Sequence, residues 1–305
     1  MEEKTNKLRY TDLYKTGVLQ QRAVEMTKKL SNCNLCPRNC GVNRLENEKG
    51  ICNTGRQAMV SSFSSHFGEE RPLVGRYGSG TIFFTNCNLL CSFCQNYDIS
   101  HLGRGVEVDD RQLADMMIDL QERGCHNINL VTPSHVVPQI ISALAVAAGE
   151  GLKVPVVFNT GAYDDPGTLK TLDGIIDIYM PDFKFWEGDL ANETCKASDY
   201  RKVAVRAIKE MHRQVGDLKI NNEGIAMQGL LVRHLVMPGY TEDTRKILHH
   251  IASTISKNTY VNIMPQYYPC GEVTRSDKLG RTLRQYEHGM VIEYAQTVGL
   301  QRIDY

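Results

Sequence analysis

Three cysteines lie close together in the segment TNCNLLCSFCQNYD, which spans residues 85–98. Cys87, Cys91 and Cys94 follow the spacing C-x3-C-x2-C within eight residues. Thiolates are soft ligands that suit iron–sulfur clusters as well as zinc. Structural zinc takes four ligands and a [4Fe–4S] cluster usually takes four cysteines, so three thiolates leave one coordination position vacant. The loop therefore predicts a cluster with one open iron, which a small chelating molecule can occupy.

The same loop has two other interpretations. One is a zinc site whose fourth ligand comes from a more distant residue such as His101. The other is a set of three buried cysteines that share no ligand. The spacing and the loop context favour the open cluster over both.

A second group of cysteines lies nearer the N-terminus. Cys33, Cys36, Cys40 and Cys52 follow the spacing C-x2-C-x3-C-x11-C within twenty residues. Four thiolates can close a tetrahedral site, which would staple a segment that has little core of its own. The spacing does not discriminate between metals, so a structural zinc, an auxiliary iron–sulfur cluster and disulfides stay open.

Composition limits where the protein works and what it binds. The chain has 305 residues, of which 42% are hydrophobic, enough for one substantial α/β core. Its 35 Lys and Arg balance its 35 Asp and Glu, so no global field recruits nucleic acid or a membrane. The sequence has no long apolar run and no evident signal peptide. We therefore expect a cytoplasmic protein whose ten cysteines bind metal rather than form disulfides.

The elements that must position these residues alternate along the chain. Residues 11–30 have helical spacing, residues 64–80 are rich in glycine and poor in strand signals, and six apolar runs follow. The runs are predicted strands at 81–86, 127–132, 154–159, 175–180, 229–236 and 259–265. Helices are predicted between and after them at 109–123, 135–149, 166–172, 199–215, 242–255 and 281–297. Continuous apolar strands that alternate with helices indicate a parallel sheet, either a partial (β/α)6 barrel or a doubly wound sheet.

Polar segments follow the predicted strands. In a parallel barrel, catalytic groups lie on loops at the carboxyl ends of the strands. The cysteine loop follows the first strand, and the later loops are TPSH (132–135), NTGAYD (159–164), MPDFK (180–184), MPGY (237–240) and PQYYPCGE (265–272). We expect these loops to converge on one face.

The cysteine spacing after the first strand of a six-unit α/β domain resembles the radical S-adenosylmethionine (SAM) superfamily. Phe93 adds to the resemblance, because that superfamily favours an aromatic residue just before its third cysteine. CSFCQN and the later motifs are similar to the pyruvate formate-lyase activating enzyme group, in a branch with an N-terminal cysteine cluster. The resemblance covers residues 33–300 and implies a cysteine-rich metal-binding segment at 1–63 followed by a radical SAM partial (β/α)6 barrel at 64–305.

The resemblance implies a cofactor chemistry. Cys87, Cys91 and Cys94 would hold a [4Fe–4S] cluster, and the amino and carboxylate groups of SAM would chelate its open iron. Phe93 would pack beside the adenine. An electron from a flavodoxin- or ferredoxin-type donor would cleave SAM to a 5′-deoxyadenosyl radical, which abstracts a hydrogen atom from the substrate.

Further SAM-binding residues are implied by the loops after the second and third strands. Where the group has Gly-Gly-Glu, this chain has TPSH, so Ser134 is the expected partner of the SAM amino group and a carboxylate is missing. His135 is expected only to begin a helix. Asn159 and Thr160 stand where the activating enzymes have Asp-Thr, so this chain lacks one negative charge of their monovalent cation site.

Two later motifs complete the implied site. Met180, Asp182 and Lys184 match the Met-x-Asp-x-Lys of the activating enzymes, although an ordinary ion pair between Asp182 and Lys184 is the simpler interpretation. Arg233 matches an arginine that contacts the methionyl part of SAM, and a guanidinium suits a carboxylate. Its neighbour His234 should face the opposite side of the strand and be structural.

The leading functional hypothesis is therefore a radical SAM enzyme that resembles the activases of glycyl-radical enzymes, with a backbone glycine of a partner protein as its target. The alternatives are radical modification of a peptide, a small metabolite or RNA, and a non-catalytic metal-binding adaptor. The balanced charge argues against an RNA substrate.

Overall fold

The computed structural model describes residues 8–273 and 278–305 and is built around one mixed β-sheet. Its strands are β1 (Ala58–His66), β2 (Ser79–Phe84), β3 (Val106–Val108), β4 (Ile128–Val131), β5 (Val156–Thr160), β6 (Ile178–Pro181), β7 (Lys219–Ile220), β8 (Ala226–Leu235), β9 (Tyr260–Met264) and β10 (Arg302–Asp304). All six strands predicted from apolar runs are confirmed, and they correspond to β2, β4, β5, β6, β8 and β9.

The strand order is β10-β9-β8-β6-β5-β4-β2-β1-β3, with β7 paired to β8 outside this path. From β2 to β10 every neighbouring pair in this order is parallel. β1 pairs antiparallel with β2 and β3, and β7 pairs antiparallel with β8. The sheet does not close on itself, so the α/β fold is a partial barrel whose parallel strands all end at the same edge.

Helices connect the strands and cover the sheet. They are α1 (Arg9–Lys15), α2 (Val18–Lys28), α3 (Arg71–Val74), α4 (Tyr97–Ser100), α5 (Asp110–Glu122), α6 (Val137–Gly149), α7 (Pro166–Thr171), α8 (Gly188–Cys195), α9 (Tyr200–Val215), α10 (Thr241–His250) and α11 (Gln285–Thr297). A π turn at Ile251–Ile255 continues α10. No helix in the described part of the chain is long and apolar enough to cross a bilayer.

Local signals in the sequence account for several helix boundaries. Asp109 caps α5 in a capping box with Gln112, and the Asp165 side chain accepts the backbone N–H of Thr168 at the start of α7. Gly17 separates α1 from α2 with a φ of 77°, a left-handed conformation that glycine adopts without strain.

The N-terminal helices join the main hydrophobic core. Tyr10 of α1 and Leu19 and Met26 of α2 are fully buried, and α2 packs along α6. The strand β1 crosses the predicted domain boundary between residues 63 and 64. The division into two domains stays a prediction.

Residues 64–80, which the sequence indicates are poor in strand, contain strand only at their two ends. β1 continues to His66, and β2 begins at Ser79. β1 was hidden because its outer half, SSFSSH, lies at least partly exposed and carries serines where a buried strand carries aliphatic residues.

Candidate active site

The three cysteines of the first motif line a cavity of about 140 Å³ at the carboxyl edge of the parallel sheet. Side chains from the ends of four other strands face the same cavity. These are Ser134 after β4, Asn159 and Thr160 of β5, Asp182 and Lys184 after β6, and Arg233 of β8. The fold therefore brings together residues that lie up to 146 positions apart in the chain, from Cys87 to Arg233.

The cysteine loop is shaped by its own hydrogen bonds. Asn86 and Leu90 have φ values of 66° and 53°, which turn the chain on either side of Cys87. The Leu89 backbone N–H donates to the Cys87 sulfur at 3.3 Å, and the Ser100 hydroxyl donates to the Cys94 sulfur at 3.2 Å. Donors placed at sulfur stabilise thiolates, so the loop is suited to hold a thiolate-ligated group.

The described residues form no site for a single metal ion at these cysteines. Within residues 8–273 and 278–305, no three His, Cys, Asp or Glu side chains are arranged to hold one metal ion. His101 stacks on Tyr97 at 4.2 Å between ring centroids, and its Nδ1 lies 2.8 Å from the Ser100 hydroxyl. His101 is thus committed elsewhere, and the described residues offer no zinc site built on it.

A network of charges crosses the cavity. Lys184 Nζ donates to Asp182 Oδ2 at 2.7 Å, and Arg233 Nε donates to Asp182 Oδ1 at 2.7 Å. Arg233 Nη2 also donates to Asn159 Oδ1 at 2.8 Å, and Nη1 lies 3.4 Å from Glu69 Oε2. Burial raises the pKa of Asp182, but the charges of Arg233 and Lys184 outweigh it and hold this pKa at about 2. All three side chains are therefore charged at neutral pH.

A second cavity of about 280 Å³ adjoins the first through Arg233, which lines both. It is lined by two acids from the segment HFGEE (66–70), the half-buried Glu69 and the buried Glu70. Glu70 Oε1 accepts from Asn262 at 2.8 Å, while its Oε2 has no partner in the described structure. Burial raises the pKa of Glu70, although the charge of Arg233 opposes that shift. A free acceptor oxygen facing a cavity is suited to a hydrogen-bond donor on a bound molecule.

A third set of polar groups runs behind Ser134. Its hydroxyl lies 3.0 Å from that of Thr160, and the Thr160 hydroxyl donates to Asp164 Oδ2 at 2.7 Å. Burial raises the pKa of Asp164 to about 6. Thr132, the first residue of TPSH, has a φ of 62°, a strained conformation for a β-branched residue. The fold thus accepts a buried acid and backbone strain beside the cavity.

Two other residues of the predicted site region have different surroundings. Phe93 is buried against Phe185 and Tyr267 and is not among the residues that line the 140 Å³ cavity, so its contact with adenine stays a prediction. His234 lies in the core, where Nδ1 is 2.6 Å from the Phe183 carbonyl and Nε2 is 2.8 Å from the Thr244 hydroxyl. His234 is structural, as expected.

Sequence reasoning missed two residues beside the cavity. Asp164 is the last residue of the loop NTGAYD (159–164), and the sequence does not reveal that its side chain is buried. Cys195, at the end of α8, belongs to neither cysteine motif of the sequence, but its sulfur lies 3.2 Å from that of Cys91. Nothing in the sequence around residue 195 pairs it with a residue 104 positions earlier.

The four N-terminal cysteines also share a cavity. Cys33, Cys36, Cys40 and Cys52 line a small space of about 10 Å³, together with Arg44 and His135 among others. His135 does not only precede a helix. It is buried, its Nε2 lies 3.0 Å from the Thr85 carbonyl, and burial followed by the charge of Arg44 lowers its pKa to about 3.

The sheet carries a loop of three cysteines and a charged cavity at the carboxyl edge of its parallel strands. This arrangement is that of an α/β enzyme that binds an iron–sulfur cluster and a small chelating cofactor. Residues 81–251, more than half of the chain, match the sequence profile described as the Radical SAM superfamily. The chain belongs to the radical SAM superfamily. The superfamily is one of SAM-dependent radical enzymes with a [4Fe–4S] cluster.

Two individual proteins are similar to this chain. An uncharacterised protein of Methanocaldococcus jannaschii is 30% identical over 289 residues, which is 92% of this chain and 79% of that protein. A solved structure described as native anSMEcpe with bound AdoMet is 11% identical with a TM-score of 0.47. This chain covers 57% of that structure, and 70% of this chain is aligned.

Proposed function

We propose that this protein reductively cleaves SAM and abstracts a hydrogen atom from a substrate, in the manner of the activases of glycyl-radical enzymes. One observation carries the proposal. The three unpaired cysteines and the network of Asp182, Lys184 and Arg233 line the same cavity. A cluster and a zwitterionic cofactor both need such a place, and a non-catalytic adaptor needs no charged network beside its metal.

Cys87, Cys91 and Cys94 would hold the cluster. When bound, the cluster and SAM supply a one-electron cleavage of a carbon–sulfur bond, and a flavodoxin- or ferredoxin-type protein is the proposed electron source. The chain itself positions the reacting groups and keeps water away from them. Lys184 lies close enough to Cys91 for the two charges to interact, so it offsets negative charge at the sulfur.

Arg233 is the proposed partner of the SAM carboxylate. A guanidinium has five N–H groups. Three of them are directed to Asp182, Asn159 and Glu69 in the described structure, which leaves two for a carboxylate. These contacts fix the orientation of the Arg233 guanidinium group before SAM binds, and such pre-organisation lowers the entropic cost of binding.

Ser134 is the proposed acceptor for the SAM ammonium group. If Ser134 donates to Thr160 and Thr160 donates to Asp164, the oxygen of Ser134 is left free to accept an N–H. Asp164 then supplies through two hydroxyls the negative charge that TPSH lacks. Its raised pKa, about 6, still leaves it ionised at neutral pH and above.

We propose no monovalent cation at the position where the activating enzymes bind one. Both oxygens of Asp182 are already bonded, one to Lys184 and the other to Arg233. Asn159 accepts from the same guanidinium. Two side-chain charges therefore neutralise Asp182 without an added ion.

The adjoining 280 Å³ cavity is the proposed entrance for the substrate. Glu69 and Glu70, which line it, would accept N–H groups, such as those of a peptide main chain around a target glycine. The same acids would repel phosphate, which disfavours RNA. A peptide segment of a partner protein is thus the substrate class that the charges of this cavity favour.

The test is anaerobic reconstitution of the full chain, followed by incubation with SAM and dithionite. We expect 5′-deoxyadenosine, detected by mass spectrometry, from the wild type and not from the Cys87→Ala, Cys91→Ala, Cys94→Ala triple variant. The Cys125→Ala variant is the matched control, since Cys125 is buried beside Ser65 and away from the cavity. A fully loaded wild type that forms no 5′-deoxyadenosine would remove the proposed function.

A further inference from the structure

The four N-terminal cysteines are brought together by an unusually shaped segment. They are all unpaired and line one small cavity. Gly41 has a φ of 68°, and its N–H donates to the Cys33 carbonyl at 2.9 Å. A Cβ added at Gly50 would lie 2.7 Å from the Cys40 sulfur, so only glycine admits that close approach. The backbone is thus arranged around the sulfurs.

Hydrogen-bond donors point at three of the four sulfurs. Cys36 is hydrogen-bonded by the Arg38 backbone N–H and the Asn88 side chain. The Thr54 backbone N–H donates to the Cys52 sulfur, while the Thr54 hydroxyl donates to the Cys52 carbonyl at 3.0 Å. Arg44 Nη1 lies 3.9 Å from the Cys33 sulfur. Such donors would hydrogen-bond the sulfurs of metal-bound thiolates.

The burial of Arg44 is a second, independent reason to expect negative charge in this cavity. Its side chain is only 1% exposed, and it donates to the carbonyls of Gly55 at 3.0 Å and His135 at 2.7 Å. Its described partners are carbonyls and a sulfur rather than a carboxylate, and its Nη2 has no hydrogen-bond partner in the described structure. A buried guanidinium without an anion is strongly unfavourable. A negatively charged group in the cavity that Arg44 lines would compensate this charge.

We propose that Cys33, Cys36, Cys40 and Cys52 bind a metal centre as thiolates, and that the negative charge of this centre pairs with Arg44. Binding converts four thiols to four thiolates and releases their protons to solvent. The centre is separate from the three-cysteine loop, and its ligands come from a different segment. The proposal does not depend on SAM cleavage.

This metal centre would also support the loop that holds Cys87 and Cys91. Arg38 Nε donates to the Asn88 carbonyl at 2.8 Å, and Nη2 donates to the Leu89 carbonyl at 3.4 Å. Asn88 and Leu89 lie between those two cysteines in the chain. Ordering the segment around Arg38 therefore orders the neighbouring loop.

A zinc ion and an iron–sulfur cluster share the required chemistry. The 10 Å³ cavity has about the size of one water molecule, which suits one ion. In the described structure no three of the four sulfurs are placed to hold one ion, so the geometry does not choose between the two metals. The experiment therefore measures both metals.

The test uses the Cys87→Ala, Cys91→Ala, Cys94→Ala variant, which lacks the other site. It is purified without oxygen, and portions are supplied with zinc or with iron and sulfide. We expect the full chain to retain about one zinc, or about four irons with sulfide. Adding Cys36→Ala and Cys52→Ala should abolish retention, while adding Cys125→Ala should not. Absence of both metals from the folded triple variant would overturn the proposal.

Arg44 gives a second test that does not require loss of a ligand. Arg44→Met should speed metal loss to a chelator by about tenfold or more, because a charge-assisted contact is removed. Arg44→Lys should restore retention. In metal-free protein, Arg44→Met should be at least as resistant to urea as the wild type, since an unpaired buried charge is gone. Equal destabilisation of the metal-free and metal-loaded forms would contradict the pairing.

Discussion

Asp164 offers a perturbation whose effects on stability and on ligand binding should have opposite signs. The side chain is 3% exposed and accepts from the Thr160 hydroxyl at 2.7 Å. Asp164→Asn keeps the shape and an acceptor oxygen but removes the charge. The variant should therefore fold more stably at high pH and bind SAM less tightly.

The magnitude follows from the pKa of Asp164, which burial raises from 3.8 to about 6. The folded protein then holds the proton more tightly than the unfolded chain, so stability falls as pH rises from 3.8 to about 6. At 1.36 kcal/mol for each pH unit, the full penalty is about 3 kcal/mol at pH 8. Asp164→Asn removes this penalty, and its advantage should shrink to about 1 kcal/mol near pH 4.5.

The assay is urea unfolding of wild type and variant at both pH values, with SAM affinity measured by calorimetry at pH 8 on cluster-loaded protein. SAM should bind about tenfold more weakly or worse, since a charge-assisted contact is lost. Asp165→Asn is the matched control, because Asp165 caps a helix and asparagine caps equally well. An Asp164→Asn protein that is no more stable than wild type at pH 8 would refute the reasoning.

Three further predictions concern single side chains of the same region. Arg233→Lys keeps a positive charge but loses the planar fork, so SAM affinity measured by calorimetry should fall by about tenfold or more; unchanged affinity would argue against a carboxylate contact. Thr132→Gly relieves a φ of 62° and should raise the free energy of unfolding by about 1 kcal/mol, as measured by urea denaturation; a loss of stability would mean that the threonine side chain matters more than the strain. Cys195→Ala removes a thiol whose sulfur lies 3.2 Å from that of Cys91, and the cluster should become harder to reduce, since hydrogen bonds to sulfur raise the potential. A redox titration followed by electron paramagnetic resonance measures this shift, and an unchanged potential would show that the thiol does not donate to Cys91.

Much of the fold could be predicted because its signals are local. The strands β2, β4, β5, β6, β8 and β9 are continuous apolar runs, and Asp109 and Asp165 mark helix starts. The strand β1 was missed because its exposed half carries serines. A sheet edge leaves a weaker sequence signal than a strand buried on both faces.

Only the residues of the candidate site that belong to sequence motifs could be predicted. Ser134, Asp182 and Arg233, which the resemblance pointed to, line one cavity in the structure, and their contacts with SAM stay a prediction. Asp164 and Cys195 were missed because their roles come from burial and from contacts across the fold. No spacing rule connects a thiol at the end of one helix to a cluster loop far earlier in the chain.

The central claim is that the cluster held by Cys87, Cys91 and Cys94 keeps one iron open for SAM. The most direct measurement is the electron paramagnetic resonance spectrum of the reduced, reconstituted protein before and after SAM is added. Because the N-terminal cysteines can contribute a second signal, the Cys36→Ala, Cys52→Ala variant is measured alongside. We predict that SAM changes the spectrum of both proteins, and a spectrum that SAM leaves unchanged in both would contradict the account.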